Sequence, residues 1–181
     1  MARQPSHILD EYLVVSAKGG DRDAFAVLVR RWQKKLIAHA WRLTGDREAA
    51  QDAVQTGWSD IVRGLPRLQD ERAFPAWAYR IVSRACAKQV GRKVQHRKII
   101  EALAGETSPE LPSADAAIDG QRLQQALHAL PPEQRAAVAL FHFEELSVAE
   151  VAVALDVPMG TVKTRLMHAR RKLRAAMEGE V

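Results

Sequence analysis

The stretch from Ser147 to Met177 constrains the fold more than any other, because it has the pattern of a short helix, a tight turn and a longer helix. Ser147 is a good N-cap, and Glu150 three residues later completes a capping box. Asp156 stands at the turn, where the backbone needs a positive φ and Asp is one of the few side chains that tolerates it. This pattern predicts a helix-turn-helix.

The second helix of this motif is predicted to have one apolar face and one basic face. Its apolar residues recur at intervals of three or four from Val162 to Met177. The segment 157–177 contains six Lys or Arg residues and neither Asp nor Glu. Most basic helices are merely solvated, but here the charge run coincides with the turn, the capping box and a Gly-Thr-Val-Lys start. The combination favours a helix that enters a DNA major groove, with its first residues at base edges and later cations at phosphates.

Charge and cysteine content fit a nucleic-acid partner and the cytoplasm. The 181 residues carry a formal net charge of +5 and a pI of about 9.7, which favours a polyanion as partner. Cys86 is the single cysteine, so an internal disulfide is excluded and a reducing compartment is expected. The sequence shows neither a membrane span nor a signal peptide, and we expect a cytoplasmic protein.

The rest of the chain has helical periodicity, and no segment alternates like a strand. Helices are predicted over about 8–17, from the cap at Asp21 to Gly45, over about 48–63, and from Phe74 onwards. Residues 99–121 contain acids but no Lys or Arg, with Pro and Ser among them, and are typical of a solvated linker. The predicted fold is all-α: two small helical domains, 7–93 and 118–178, joined by a flexible acidic linker over 94–117.

The fourth predicted helix carries a second basic run without acids. Three of its cations are spaced by four residues and therefore share one face, and three aromatic residues stand near its start. Aromatic side chains beside a cationic groove suit unstacked single-stranded bases, although Trp77 is better explained as a core residue. The candidate contacts on this helix are Phe74, Trp77, Tyr79, Arg80, Arg84 and Lys88.

Several motifs, in order along nearly the whole chain, resemble those of bacterial alternative sigma factors of the extracytoplasmic-function group. Residues 23–25 (DAF) resemble the first helix of sigma domain two, and residues 52–55 (DAVQ) with Trp58 resemble its core-polymerase-binding helix. The aromatic start of the fourth helix resembles the promoter-melting helix. Residues 130–135 (LPPEQR) and 160–166 (GTVKTRL) resemble sigma domain four.

The resemblance implies a protein that is not an enzyme and needs no metal or cofactor. Its expected partners are RNA polymerase core, promoter DNA as duplex and as melted strand, and an anti-sigma factor. Domain four is then expected to read the upstream minus-thirty-five element through Thr161, Lys163, Thr164, Arg165, His168 and Arg171.

Domain two is expected to bind the melted minus-ten strand and the polymerase. The loop 67–73 is the expected pocket for a flipped base, which adds Leu68, Gln69 and Arg72 to the fourth-helix contacts. The expected core-polymerase contacts are Asp52, Gln55, Thr56 and Trp58.

Thr56 stands on a helix that is usually richer in acids in the family. Phosphorylation there would add about two negative charges, so Thr56 is a candidate modification site. The alternative is that Thr56 is simply a tolerated polar residue.

Two other classes of protein share some of these sequence features. A transcription regulator with the same helix-turn-helix would use its N-terminal half for dimerisation or signal reception, but such a domain does not need a second basic, aromatic helix. An enzyme such as a nuclease has little support, because the His residues are scattered and no carboxylate cluster has ligand spacing.

Overall fold

The computed structural model of the chain describes residues 5–104 and 118–178, and all regular structure within these ranges is helical. The all-α prediction is therefore confirmed. The α-helices are α1 (Pro5–Lys18), α2 (Arg22–Thr44), α3 (Arg47–Gly64), α4 (Phe74–Ala104), α5 (Ile118–His128), α6 (Pro132–Val138), α7 (Val148–Leu155) and α8 (Met159–Glu178).

Local signals in the sequence set the ends of α2 and α3. The Asp21 carboxylate accepts hydrogen bonds from the backbone N–H groups of Asp23 and Ala24, at 2.9 and 3.0 Å, as expected of an N-cap. Gly45 ends α2 in the left-handed conformation, with φ 70°, which costs glycine little. Asp46 then caps α3 through the N–H of Ala49.

Helices α1 to α4 form the N-terminal bundle, in which α2, α3 and α4 pack closely on one another. Trp32 of α2 meets Phe74 of α4 edge to face, with ring centroids 5.3 Å apart, a favourable aromatic geometry. Gly57 lets α3 lie directly against α4, because a Cβ there would come within 2.9 Å of the Val82 Cγ2 atom. These contacts fix the position of α4, the basic helix.

Helix α4 is longer than predicted, and the predicted linker begins inside it. Residues 94–104 are helical, so a flexible linker from residue 94 is wrong for this part of the chain. The physical reason is composition: after Gly91 no Pro or Gly occurs until Gly105, so nothing in the segment breaks a helix. The rest of the predicted linker, 105–117, lies outside the described residues.

Helices α5 to α8 form the C-terminal bundle, with a π-helical turn at Ala139–Phe143 after α6. Its core includes Leu140, Val151 and Leu166, all buried. The predicted apolar stripe of α8 extends beyond this core, because Met177 is 53% exposed. At Met177 the helix therefore extends past the core of the bundle.

The two bundles pack against each other in this structure. Helix α4 lies along α7, and α2 contacts α5, α6 and the π-helical turn. Arg135 of α6 donates to the backbone carbonyl of Leu43 at 2.9 Å, near the end of α2. Among the described helices, none is both long and apolar enough to cross a membrane.

Candidate nucleic-acid interface

The helix-turn-helix forms as predicted. Ser147 and Glu150 make the capping box, with the Ser147 N–H donating to the Glu150 carboxylate at 2.8 Å and the Glu150 N–H to the Ser147 Oγ at 3.3 Å. Asp156 takes the left-handed conformation at the turn, with φ 57°. The turn directs α8 away from α7 and leaves one side of α8 to solvent.

The side chains that the sequence assigns to duplex reading lie on the outer face or flank of α8. Val162, Leu166 and Ala169 face inward and are buried, which fixes the rotation of the helix about its axis. The remaining positions are at least partly open to solvent. Lys163, Thr164 and Arg171 are exposed, and Thr161, Arg165 and His168 are half-buried.

Beside this face is an apolar groove with a cationic rim. Its volume is about 480 Å³, and its lining includes the apolar side chains of Phe141, Val148 and Leu166. Lys163 and Arg171 belong both to the predicted DNA-reading set and to the lining of this groove. A ligand that filled the groove would therefore contact two of the cations that are predicted to bind DNA.

Two of the aromatic residues predicted to contact DNA are core residues. Phe74 is fully buried, and Tyr79 is 2% exposed, so the expectation of a direct DNA contact is corrected for both in this structure. Trp77 is half-buried and covers Gly64, where a Cβ would come within 2.7 Å of the indole ring. The core alternative for Trp77 is therefore supported, and the three rings hold α4 in place.

The predicted base pocket, 67–73, contains two short 3₁₀ turns, Leu65–Arg67 and Glu71–Ala73. Gln69 is exposed and Leu68 is half-buried, with its carbonyl accepting from Lys18 Nζ at 2.6 Å. The Arg72 guanidinium donates to both carboxylate oxygens of Asp70, at 2.8 and 3.0 Å. This pairing orients Arg72 on the surface.

The three cations of α4 do not share one environment. Arg80 and Arg84 both contact the same carboxylate oxygen of Asp156, at 2.7 and 3.1 Å, although Asp156 belongs to the turn of the helix-turn-helix. Lys88, one turn further on, is exposed. The ion pairs of Asp156 with Arg80 and Arg84 were not predicted, because the position of Asp156 at the turn does not indicate which groups its carboxylate contacts.

Glu144 also joins the two bundles, and sequence reasoning missed this contact. Its side chain is 6% exposed, and it lies directly after the π-helical turn. One oxygen accepts from Arg42 Nη1 at 2.7 Å, and the other accepts from the Tyr79 hydroxyl at 2.5 Å. Burial raises the pKa of Glu144, partly offset by the hydrogen bond from Tyr79 and the charge of Arg42.

His39 lies beside this cluster but is not an ionic partner of Glu144. It is fully buried, and burial, together with the charge of Arg42, lowers its pKa to about 3. The imidazole is therefore neutral near pH 7, and its Nε2 atom lies 2.9 Å from the Ser83 hydroxyl. The 3.9 Å approach of its Nδ1 atom to Glu144 is not a salt bridge.

The predicted polymerase-binding residues all lie on α3. Asp52, Gln55 and Thr56 are exposed. Trp58 is half-buried and donates through Nε1 to the Gln33 side chain at 2.5 Å. Trp58 and Gln55 line a shallow groove of about 580 Å³ between α2 and α3, which offers a partner an apolar floor with amide groups around it.

Comparison with known proteins first identifies the class. The family described as Sigma-70 region 2 matches residues 28–95, which span most of the N-terminal bundle. The family described as Sigma-70, region 4 matches residues 120–173, which span the C-terminal bundle. The chain is thus a two-domain sigma factor, and the alternative of a regulator with a receiver or dimerisation domain does not fit.

Individual relatives identify the group within that class. The chain is 33% identical to the ECF RNA polymerase sigma factor SigM of Mycobacterium tuberculosis, over 91% of this chain and 82% of that protein. It is 29% identical to the RNA polymerase sigma-H factor of Pseudomonas aeruginosa, over 93% of this chain and 94% of that protein. The chain belongs to the extracytoplasmic-function (ECF) sigma factors, which bind RNA polymerase core and direct it to promoters.

Solved structures show the same fold. CnrH in complex with the cytosolic domain of CnrY has a TM-score of 0.72 at 22% identity, covering 96% of this chain and 99% of that one. RpoE of Bartonella quintana in complex with the anti-sigma factor NepR has a TM-score of 0.71 at 21% identity, covering 87% and 98%. At this level of identity, the likeness concerns the arrangement of helices.

We expect the buried neutral His39 to make stability fall in weak acid. Between pH 6.5 and 3 the unfolded chain takes up a proton at this residue and the folded chain does not, so the free energy of unfolding falls as pH falls. The loss is at most about 1.4 kcal/mol per pH unit. Urea unfolding at pH 7.5, 6.5 and 5.5 should show a shallower pH dependence for His39→Gln than for the wild type.

Glu144 has the opposite effect on stability as pH falls. Its raised pKa means that the folded chain takes up a proton at this residue more readily than the unfolded chain, which favours folding at lower pH. Both proteins in this comparison retain Glu144, so their difference reports on His39. Parallel pH profiles for the two proteins would contradict the prediction.

Proposed function

We propose that the two bundles divide promoter recognition between them, with α8 reading the upstream element as duplex and the α4 region holding the melted minus-ten strand. The observation that carries this proposal is the outer face of α8, which combines helix-turn-helix geometry with a run of cations and no acid from 157 to 177. The domain limits 7–93 and 118–178 remain predictions and correspond to the two bundles in this proposal.

At the upstream element, Thr161, Lys163, Thr164 and Arg165 occupy the first turns of α8, which are the turns that reach base edges in a helix-turn-helix complex. The Thr164 hydroxyl donates to the Gly160 carbonyl at 3.0 Å, which leaves its oxygen free to accept. His168 and Arg171 lie further along, with 3.3 Å between Arg171 Nη2 and His168 Nδ1. Their place on the helix suits phosphate contacts.

At the minus-ten element, Gln69, Arg72, Arg84 and Lys88 are exposed and Arg80 is half-buried, whereas the aromatic residues support the helix from inside. Arg72 is preoriented by Asp70, which reduces the entropy lost when it binds a base or phosphate. Leu68, half-buried beside the turn, offers an apolar wall for a base removed from the stack. This proposal keeps the pocket at 67–73 and shifts the roles of Phe74 and Tyr79 from contact to support.

The exposed face of α3 is proposed as the polymerase-binding surface, with Asp52 as its charged residue and the groove at Trp58 as its apolar part. We propose further that the chain works in the cytoplasm, catalyses no reaction itself, and is regulated by an anti-sigma factor. The solved relatives in complex with NepR and with the cytosolic domain of CnrY support that last partner by analogy.

The proposed division of roles is tested by gel filtration with RNA polymerase core at moderate salt, followed by transcription from a promoter library. We expect the chain to co-migrate with core and to bring about initiation at a defined promoter class. Tight, sequence-specific promoter binding by the free chain, without co-migration, would contradict the proposal.

Arg165→Ala should weaken binding to the upstream duplex by about 1–3 kcal/mol if the guanidinium makes a bidentate contact with a base edge. Fluorescence anisotropy with the cognate element and with a scrambled duplex measures this loss. Lys172→Ala is the matched control, because Lys172 is an exposed cation further along the same helix. Equal losses for Arg165→Ala on both duplexes would show a phosphate contact only.

Thr56→Glu should bind core polymerase more tightly than the wild type or Thr56→Ala, if negative charge is what this exposed face lacks. The reason is that phosphorylation, or its carboxylate substitute, adds charge where a cationic polymerase surface is expected. Affinities measured at two salt concentrations should show the advantage shrinking as salt rises, because exposed charges are screened. Three equal and tight affinities would favour Thr56 as a tolerated polar residue.

A further inference from the structure

We infer that the free chain masks its own melted-strand surface, because two carboxylates of the C-terminal bundle, Glu144 and Asp156, occupy the cations and the tyrosine that α2 and α4 present. This inference rests on the proposed role of the α4 cations in DNA binding. Glu144 serves as the internal lock between the bundles, and Asp156 serves as the mask over Arg80 and Arg84.

The lock is a buried carboxylate whose strong partners all come from the other bundle. Both oxygens of Glu144 are used, one by Arg42 of α2 and one by Tyr79 of α4. Arg42 is held in turn by the ring of Phe143, with its guanidinium carbon 4.4 Å from the ring centroid. Removing the charge of Glu144 leaves a partly buried guanidinium without its anion, which disfavours the closed arrangement.

The backbone around Glu144 is shaped to present it to the other bundle. The π-helical turn Ala139–Phe143 ends directly before it, and π-helical insertions are frequent at functional positions. The next residue, Glu145, has φ 57°, a conformation that a long side chain adopts only when its surroundings impose it. The Leu146 N–H then bonds to the Leu140 carbonyl at 3.1 Å, which closes the loop behind Glu144.

The Asp156 side chain is exposed, so its ion pairs add little to the stability of the fold. They matter because they occupy Arg80 and Arg84. The side chains of Asp156 and Arg84 are 59% and 65% exposed, and ion pairs of this kind are individually weak. Nevertheless Asp156 places a carboxylate where a DNA phosphate would lie between Arg80 and Arg84. A phosphate can bind both guanidinium groups only after Asp156 has moved away.

Two further contacts join the bundles, and neither is an ion pair. Arg135 of α6 donates to the Leu43 carbonyl. The His128 ring lies so close to Gly45 that a Cβ there would come within 2.8 Å of its Cε1 atom. The ends of α2 and α5 are thus in direct contact, and separation of the bundles exposes both.

The closed arrangement affects the two DNA-binding surfaces unequally. Lys163, Thr164 and Arg171 of α8 are exposed while the bundles are packed, whereas Arg80 and Arg84 are paired. The free chain is therefore expected to bind duplex through α8 but to bind single strands weakly. Binding of α4 to DNA is coupled to opening, since a ligand that selects a minor open form has its affinity reduced by the open fraction.

The test compares wild type, Glu144→Gln, Asp156→Asn and the double variant in two measurements made without polymerase. Asn tolerates the left-handed conformation at position 156, so Asp156→Asn keeps the turn while removing the mask. The matched control is Asp60→Asn with Glu133→Gln, which removes two carboxylates as well. Asp60 pairs with Arg63 on its own helix, and Glu133 is exposed at the start of α6.

Small-angle scattering measures the separation of the bundles, and a fluorescent single-stranded oligonucleotide of mixed sequence reports on the α4 surface. We expect the Glu144→Gln and double variants to have a larger radius of gyration than wild type and control. The double variant should bind the oligonucleotide about tenfold more tightly than the control if opening rises from about a tenth of the molecules to nearly all. Circular dichroism confirms that the helices are retained.

Three results would overturn the inference. The first is an unchanged radius of gyration in the folded double variant, which would show that Glu144 does not hold the bundles together. The second is a variant that opens but binds the single strand no more tightly than the control. The third is an Asp156→Asn protein that binds the single strand no more tightly than wild type. Either of the last two results would show that the C-terminal bundle does not mask the cations of α4.

Transcription with core polymerase separates this inference from the proposed function. If the proposed function fails, the wild-type chain gives no promoter-specific initiation with core, whatever the scattering shows. If only the self-masking inference fails, wild type initiates normally while the scattering and oligonucleotide results for the double variant match those for the control.

Discussion

The packing of α4 into the N-terminal core is the constraint on which the rest of the structure depends. Phe74 is fully buried against Trp32, and Trp77 lies over Gly64, so the start of the helix is fixed in both position and rotation. That rotation determines which residues of α4 face outward, and it places Tyr79 where Glu144 reaches it. One aromatic cluster therefore sets both which cations of α4 face outward and the contact with the other bundle.

The sequence predicts the helices well because their ends carry explicit chemical signals. Asp21, Gly45 and the Ser147–Glu150 capping box act through backbone geometry that depends on a few neighbouring residues, so the pattern alone is enough. The end of α4 is less predictable, since acidic residues and a neighbouring Pro suggest a linker while nothing before Gly105 breaks the helix. Composition indicates solvation there, but it does not determine conformation.

The candidate site is only partly predictable, for a different physical reason. The cations of α8 follow from spacing, because the buried Val162 and Leu166 leave a definite outer face. Whether an aromatic residue of α4 faces bases or the core cannot be read from the same periodicity, and Phe74 and Tyr79 prove to be buried. Contacts such as Glu144 with Arg42 join residues 102 positions apart in the chain, and no local pattern encodes them.

The pairing of Arg80 and Arg84 with Asp156 also changes how added salt acts on the chain. Binding to DNA releases counterions from the phosphates, so affinity normally falls steeply as salt rises. Dissolved ions also screen exposed pairs such as those of Asp156, and thereby release the cations that we propose to bind the single strand. The two effects oppose each other, so the affinity of the closed chain for single strands is less sensitive to ionic strength than its number of phosphate contacts implies. A cell whose internal salt fluctuates under osmotic stress would then alter this contact less than a contact made by permanently free arginines.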